Sequence, residues 1–161
     1  MQETADIGID ETAAELFDRL AVMGAELLVK TLPLLDKGEI TPLKQDESKA
    51  TYAKMLSKDM CELDFDNSAR AVHKMICGLS DWPCAVTFLD GKRIKIYHSS
   101  LLDETGSFGA PGEIIDDRDF VVACKQGKFK ITELQAEGGK RMKTADYLRG
   151  KPVTKGTILG R

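Results

Sequence analysis

The sequence has no apolar run approaching the 18 or more residues that a membrane-spanning helix needs, so no membrane partner is expected. Its N-terminus lacks a basic stretch followed by an apolar one, and no secretory leader is read there. Cysteine is sparse. Cys61, Cys77, Cys84 and Cys124 form no C-x-x-C pair and have no histidine at zinc-finger spacing, so no metal site is expected. They read as ordinary thiols, in keeping with a cytoplasmic location. Aromatic residues make up only 6% of the chain, which leaves little for stacking against bases. There are two histidines, and neither lies in an H-E-x-x-H pattern. No G-x-S-x-G elbow and no G-x-x-x-x-G-K-[ST] loop is present. Gly106, Gly109 and Gly112, spaced by three, are not a dinucleotide fingerprint and fit a turning loop around Pro111.

What is present suits one ordinary domain with an appendage. The 161 residues are 42% hydrophobic and 30% charged, with a mean hydropathy of -0.24. The net charge of -3 hides a polarity: residues 125–161 carry ten Lys/Arg against three carboxylates. That tail is therefore +7, leaving -10 for residues 1–124. Such asymmetry favours a phosphate-bearing partner on the C-terminal part.

Thr12-x-x-Glu15 is a capping box, and Leu16, Leu20, Leu27 and Leu35 follow at helical spacing. Pro33 is expected to kink or interrupt the last turn, with a stop at Asp36-Lys37-Gly38. Nothing nearby offers this helix an apolar partner. Residues 39–65 read as a linker with a helical turn around Ala50 to Leu56. Asp66-Asn67-Ser68 offers an N-cap, and Ala69, Val72, His73, Ile76 and Leu79 mark a short amphipathic helix closed by Gly78. His73 is read as packed on that helix, and His98 as a surface or cross-strand residue.

From Cys84 the period changes from 3.6 to 2. Cys84 to Leu89 and Arg93 to Ser100 flank Asp90-Gly91, a hairpin signal. Gly112 to Ile115, Phe120 to Cys124 and Lys128 to Leu134 read as three more strands, and Thr144 to Leu148 as a last short helix. The fold class predicted is mainly β with flanking helices: a small five-stranded Greek-key barrel of the oligonucleotide-binding (OB-like) type, preceded by an N-terminal helix and linker.

Basic residues recur along this half. Lys92, Arg93 and Lys95 come from one hairpin, and Lys128 and Lys130 from another strand. Lys140, Arg141 and Lys143 follow Gly138-Gly139, where a flexible backbone lets a ligand approach closely. Lys54 and Lys58 extend the set into the linker. These ten are the candidate contacts to a nucleic-acid backbone, with phosphate and ribose contacts outweighing stacking. A solvated basic surface is the alternative reading. No catalytic residue is assigned.

Three markers carry a family resemblance. The polar stretch Gln45 to Lys58, the step Asp81-Trp82-Pro83 and the run Leu134-Gln135-Ala136-Glu137-Gly138-Gly139-Lys140-Arg141-Met142 stand in the order seen in methionyl-tRNA formyltransferases. The likeness runs from Asp10 to Gly160, with Asp81 departing from the Pro or apolar residue common there. The resemblance implies an OB-like tRNA-binding domain at 66–161, a linker at 39–65, and at 1–38 the terminal helix of a catalytic domain that is otherwise missing. It implies initiator methionyl-tRNA and that catalytic domain as partners. It implies 10-formyltetrahydrofolate as the parent enzyme's substrate, with no cofactor held by this part and no formyl transfer by it alone. Pairing of the exposed N-terminal helix with that of a second copy, or else mobility of that helix, is a further expectation. The C-terminal domain of another folate-dependent formyltransferase, and a stand-alone RNA- or protein-binding barrel, are the alternatives.

Overall fold

The computed structural model describes residues 1–160. Helix α1 spans Ala13–Asp36. It begins at the expected capping box: Glu15 N–H donates to Thr12 Oγ1 (3.3 Å) and Thr12 N–H to the Glu15 carboxylate (2.9 Å). Pro33 does not interrupt the helix, which runs three residues past it. So near the C-terminus its missing N–H forfeits one ladder bond and little else. The end is a Schellman motif: Gly38 (φ 69°) donates to Leu35 O, and Glu39 N–H to Leu34 O. No residue within the helix is buried, while Phe17, Leu20, Leu28, Leu32 and Leu35 are exposed.

Between α1 and the rest, single 3-10 turns form at Glu47–Lys49 and Lys58–Met60, and the expected helical turn at Ala50 to Leu56 is absent. At Cys61 the chain changes character. Cys61, Leu63 and Phe65 are buried while Glu62 and Asp64 face water, a period-2 pattern. Leu63 N–H bonds Val86 O and Val86 N–H bonds Cys61 O, laying this segment beside the first strand. Residues 61–65, which sequence reading leaves in the linker, thus pack in the core.

Helix α2, Ala69–Leu79, is capped by Ser68, whose Oγ accepts from Ala71 N–H, and it buries Ala69, Val72, His73, Ile76, Cys77 and Leu79. Six strands follow: β1 Ala85–Leu89, β2 Lys92–Asp103, β3 Ile114–Asp116, β4 Val121–Ala123, β5 Lys128–Ala136 and β6 Met142–Lys143. Helix α3 is Thr144–Gly150. All named strand pairs are antiparallel, in the order β1-β2-β5-β4-β3, with β6 also on β5. The sixth strand, two residues long, adds to the five expected; a segment that short has no readable alternation. Asp90 (φ 50°) and Gly91 (φ 70°) both take positive φ, as the β1–β2 type I′ turn requires.

Ile94 and Ile96 of β2 and Phe129, Ile131 and Leu134 of β5 point inward and meet α2, Phe120 and Val122. Phe65 stacks on Phe129 at 6.3 Å. The C-terminal stretch closes over this core. Thr157 O accepts from Ile114 N–H, Leu159 N–H donates to Gly112 O, and Gly160 N–H donates to Phe88 O of β1. At Gly112 (φ 83°) a Cβ would sit 2.9 Å from Leu159 O, so the close approach of that tail requires glycine.

Candidate nucleic-acid interface

Because Ile94 and Ile96 are buried, the residues between them must face out: Arg93, Lys95 and Tyr97 lie on the solvent side of β2. Lys95 stands opposite Gln135 on β5. Beside this pair is a cleft of about 240 Å³ lined by Arg93, Lys95, Gln135, Ala136, Glu137 and Gly138. A second cleft, about 220 Å³, shares Ala136 and Glu137 and brings in Lys92, Tyr147 and Lys151. A third, about 290 Å³, shares Ala136, Tyr147 and Lys151 and adds Lys140. The hairpin, the Gly138 turn and the end of α3 therefore place Lys92, Arg93, Lys95, Lys140 and Lys151 along three neighbouring clefts, with Arg93 and Lys95 on the outer face of β2 and Lys92 on the face of Ile94. None of these five has a carboxylate within ion-pair distance among the described residues. Their charge is free to meet an anion. Lys151 is absent from the sequence-based candidates; only the return of α3 to the hairpin places it here.

Arg141 and Lys143 have a different setting. Arg141 Nε donates to Glu133 Oε1 (3.0 Å), Nη2 to Glu133 Oε2 (3.3 Å) and Nη1 to Asp81 Oδ1 (2.7 Å). Its guanidinium also lies 4.2 Å over the Tyr97 ring. Tyr97 in turn donates its hydroxyl to Gln135 Oε1 (3.0 Å). Lys143 Nζ reaches Glu133 at 3.3 Å, and His98 Nε2 stands 3.8 Å from the same carboxylate. Partial burial pushes the Glu133 carboxyl up, but the bonds from Arg141 and Lys143 outweigh it and hold the group below the ordinary carboxylate range. The hydrogen bond to Glu133 raises Arg141 further above its usual value. This network locks β2, β5, β6 and the α2–β1 loop together.

The other candidates lie elsewhere. Lys128 pairs with Asp103 at the far end of β5, eight residues from Ala136, about 26 Å along the strand. Its ammonium sits 4.0 Å over the Phe108 ring, and Lys130 bonds Asp119 at 2.6 Å. Lys54 and Lys58 are exposed in the segment before Cys61 and line none of these clefts.

His73 is fully buried, with Nδ1 2.8 Å from Ser99 Oγ and Nε2 2.8 Å from Ile9 O and 3.1 Å from Asp10. With Lys74 Nζ on Ile9 O (2.8 Å) and Ala14 N–H on Ser80 O (3.2 Å), it fastens the start of α1 to α2. No group of three or more metal-ligating side chains occurs among the described residues.

Residues 55–152 match the formyl transferase C-terminal domain family. The methionyl-tRNA formyltransferase of Lachnospira eligens is 42% identical to this chain, over 99% of this chain and 53% of its own length. That of Alkaliphilus oremlandii is 41% identical, over 99% of this chain and 52% of its own. The chain thus spans about half the length of the curated relatives it matches. Among solved structures, a variant of HypX from Aquifex aeolicus superposes with a TM-score of 0.67 at 16% identity, over 89% of this chain and 27% of that one. A HypX complex with tetrahydrofolic acid gives 0.58 at 18% identity, over 76% of this chain and 22% of that one. At such identities the likeness is one of fold.

Proposed function

The chain belongs to the formyl transferase C-terminal domain family, and from that premise we propose that it is the linker and C-terminal domain of a methionyl-tRNA formyltransferase. The parent enzyme moves the formyl group of 10-formyltetrahydrofolate to the amino nitrogen of methionine on initiator tRNA, in the cytoplasm. In this reading the present chain holds the tRNA's phosphate backbone, and a catalytic domain of the same polypeptide does the chemistry. We place no catalytic residue and no folate contact here. The observation that carries the reading is the identity of about 40% to methionyl-tRNA formyltransferases across nearly the whole chain.

The clefts support the tRNA role. Cations free of internal partners are the readiest phosphate contacts, and Lys92, Arg93, Lys95 and Lys140 meet that condition, joined by Lys151. Lys143, 69% exposed, contributes at the margin, Lys128 and Lys130 serve a separate stretch of backbone, and Lys54 and Lys58 reach toward the catalytic domain. We read the sheet as an OB-like barrel, supported by the tail that bonds β3 and then β1, and we set the linker's end at Cys61. Residues 1–38 are then the last helix of the catalytic domain, and a second copy covers its exposed face when that domain is absent.

The test is a titration of the purified chain with labelled initiator and elongator tRNA at two salt concentrations. Weak binding that falls steeply with salt and scarcely separates the two tRNAs is expected. Salt-independent affinity would overturn the backbone-binding role. An in-frame formyltransferase domain encoded upstream would set aside the stand-alone barrel.

A further inference from the structure

We propose that Asp81 occupies a phosphate seat on Arg141, so that tRNA binding displaces it and loosens the attachment of α1. The inference rests on the tRNA-binding reading above and names a regulation of that site. Arg141 splits its guanidinium between two carboxylates of different standing. Glu133 takes the Nε/Nη2 edge through two bonds, its side chain is only 14% exposed, and Lys143 holds it as well. Asp81 takes Nη1 through a single bond, and its side chain is 54% exposed. Glu133 is the permanent partner and Asp81 the exchangeable one. A phosphodiester oxygen can replace Asp81 at Nη1 without disturbing the fork to Glu133 or the stacking on Tyr97.

Displacement has a defined path outward. The same Asp81 Oδ1 that meets Arg141 accepts the Ser80 hydroxyl at 3.1 Å. The Ser80 carbonyl accepts Ala14 N–H, in the first turn of α1, at 3.2 Å. Arg141, Asp81, Ser80 and Ala14 thus form one chain of contacts from the basic turn to the start of the helix. Neighbouring Trp82 is 67% exposed, so Asp81 borders solvent from which a phosphate can approach. Binding on one side and protection of the Ala14 amide on the other are then linked reciprocally.

Asp81→Asn removes the competing charge and weakens the bonds from Arg141 and Ser80, because a neutral amide oxygen is a poorer acceptor than a carboxylate. Glu104→Gln makes the same charge change at an exposed pair with Arg70, outside the clefts. At about 0.15 M salt, where the Debye length is about 8 Å, D81N should tighten tRNA binding roughly two- to fivefold and E104Q hardly at all. Hydrogen exchange at Ala14 should quicken when tRNA binds the unmodified chain, and should already be fast in RNA-free D81N. Equal affinity in D81N and E104Q, or Ala14 protection unchanged in RNA-free D81N, would overturn the inference and leave the tRNA reading intact. Failure of the unmodified chain and of E104Q to bind tRNA at all would overturn both.

Discussion

Replacing Lys92, Arg93 and Lys95 together with alanine should separate phosphate contact from structural support. None of the three has a carboxylate partner among the described residues; Arg93 and Lys95 lie on the outer face of β2, Lys92 stands at the strand's first position, and Lys92 and Arg93 are exposed. Such substitutions ordinarily change stability by less than about 0.5 kcal/mol each. Each cation that neutralises a phosphate contributes roughly 0.7–0.9 to the slope of log affinity against log salt. Losing three should flatten that slope by roughly 2–3. Between about 50 and 200 mM salt, a fourfold change, the unmodified chain should then lose roughly 20- to 40-fold more affinity than the variant. Fluorescence anisotropy with labelled tRNA at four salt concentrations measures the slopes, and circular dichroism melting confirms the fold. An unchanged slope in a variant that melts normally would refute the assignment and move the binding face away from these clefts.

Arg141→Ala should behave differently, because it breaks bonds to Glu133 and Asp81: stability should fall by about 1 kcal/mol, or about 2–4 °C in Tm, by calorimetry. Burial pushes the Cys84 thiol up to about 11 and Cys124 up to about 12, from an ordinary 9.0. The folded state therefore holds these protons longer than the unfolded one, so stability should be level below about pH 8 and lost as pH rises from 9 toward those values, as denaturant melts across that range would show. Replacing Phe17, Leu20 and Leu28 with serine should abolish any dimer seen by light scattering, since these exposed side chains are the face a second copy would cover. The chain by itself should formylate methionyl-tRNA no faster than the uncatalysed background in a radiolabel assay, since His73 is sealed in the core and His98 lies beside Glu133.

Much of the local architecture was legible before any coordinates. The Thr12/Glu15 box, the Gly38 stop, the Ser68 cap and the Asp90-Gly91 turn are each decided by a few adjacent residues, because their hydrogen bonds close within three or four positions. The inward Ile94, Ile96, Phe129 and Ile131 followed from a period of two. Where the sequence misled, a longer range was in command. Pro33 stayed within α1 because it falls in the closing turn, and Cys61 to Phe65 left the linker because β1 offered an open edge for them to bond. The site shows the same division. That basic residues would matter was written in the charge of the C-terminal tail. Which of them are free was not, since Arg141 is neutralised by an aspartate 60 residues away and Lys128 is carried to the opposite end of β5. Lys151 lines a cleft with Lys92 only because α3 folds back on the hairpin. Residue type and spacing determine which side chains bear charge and which way a strand turns them. Pairing between distant segments, set by burial of a shared core, decides which charges meet a carboxylate and which meet the solvent.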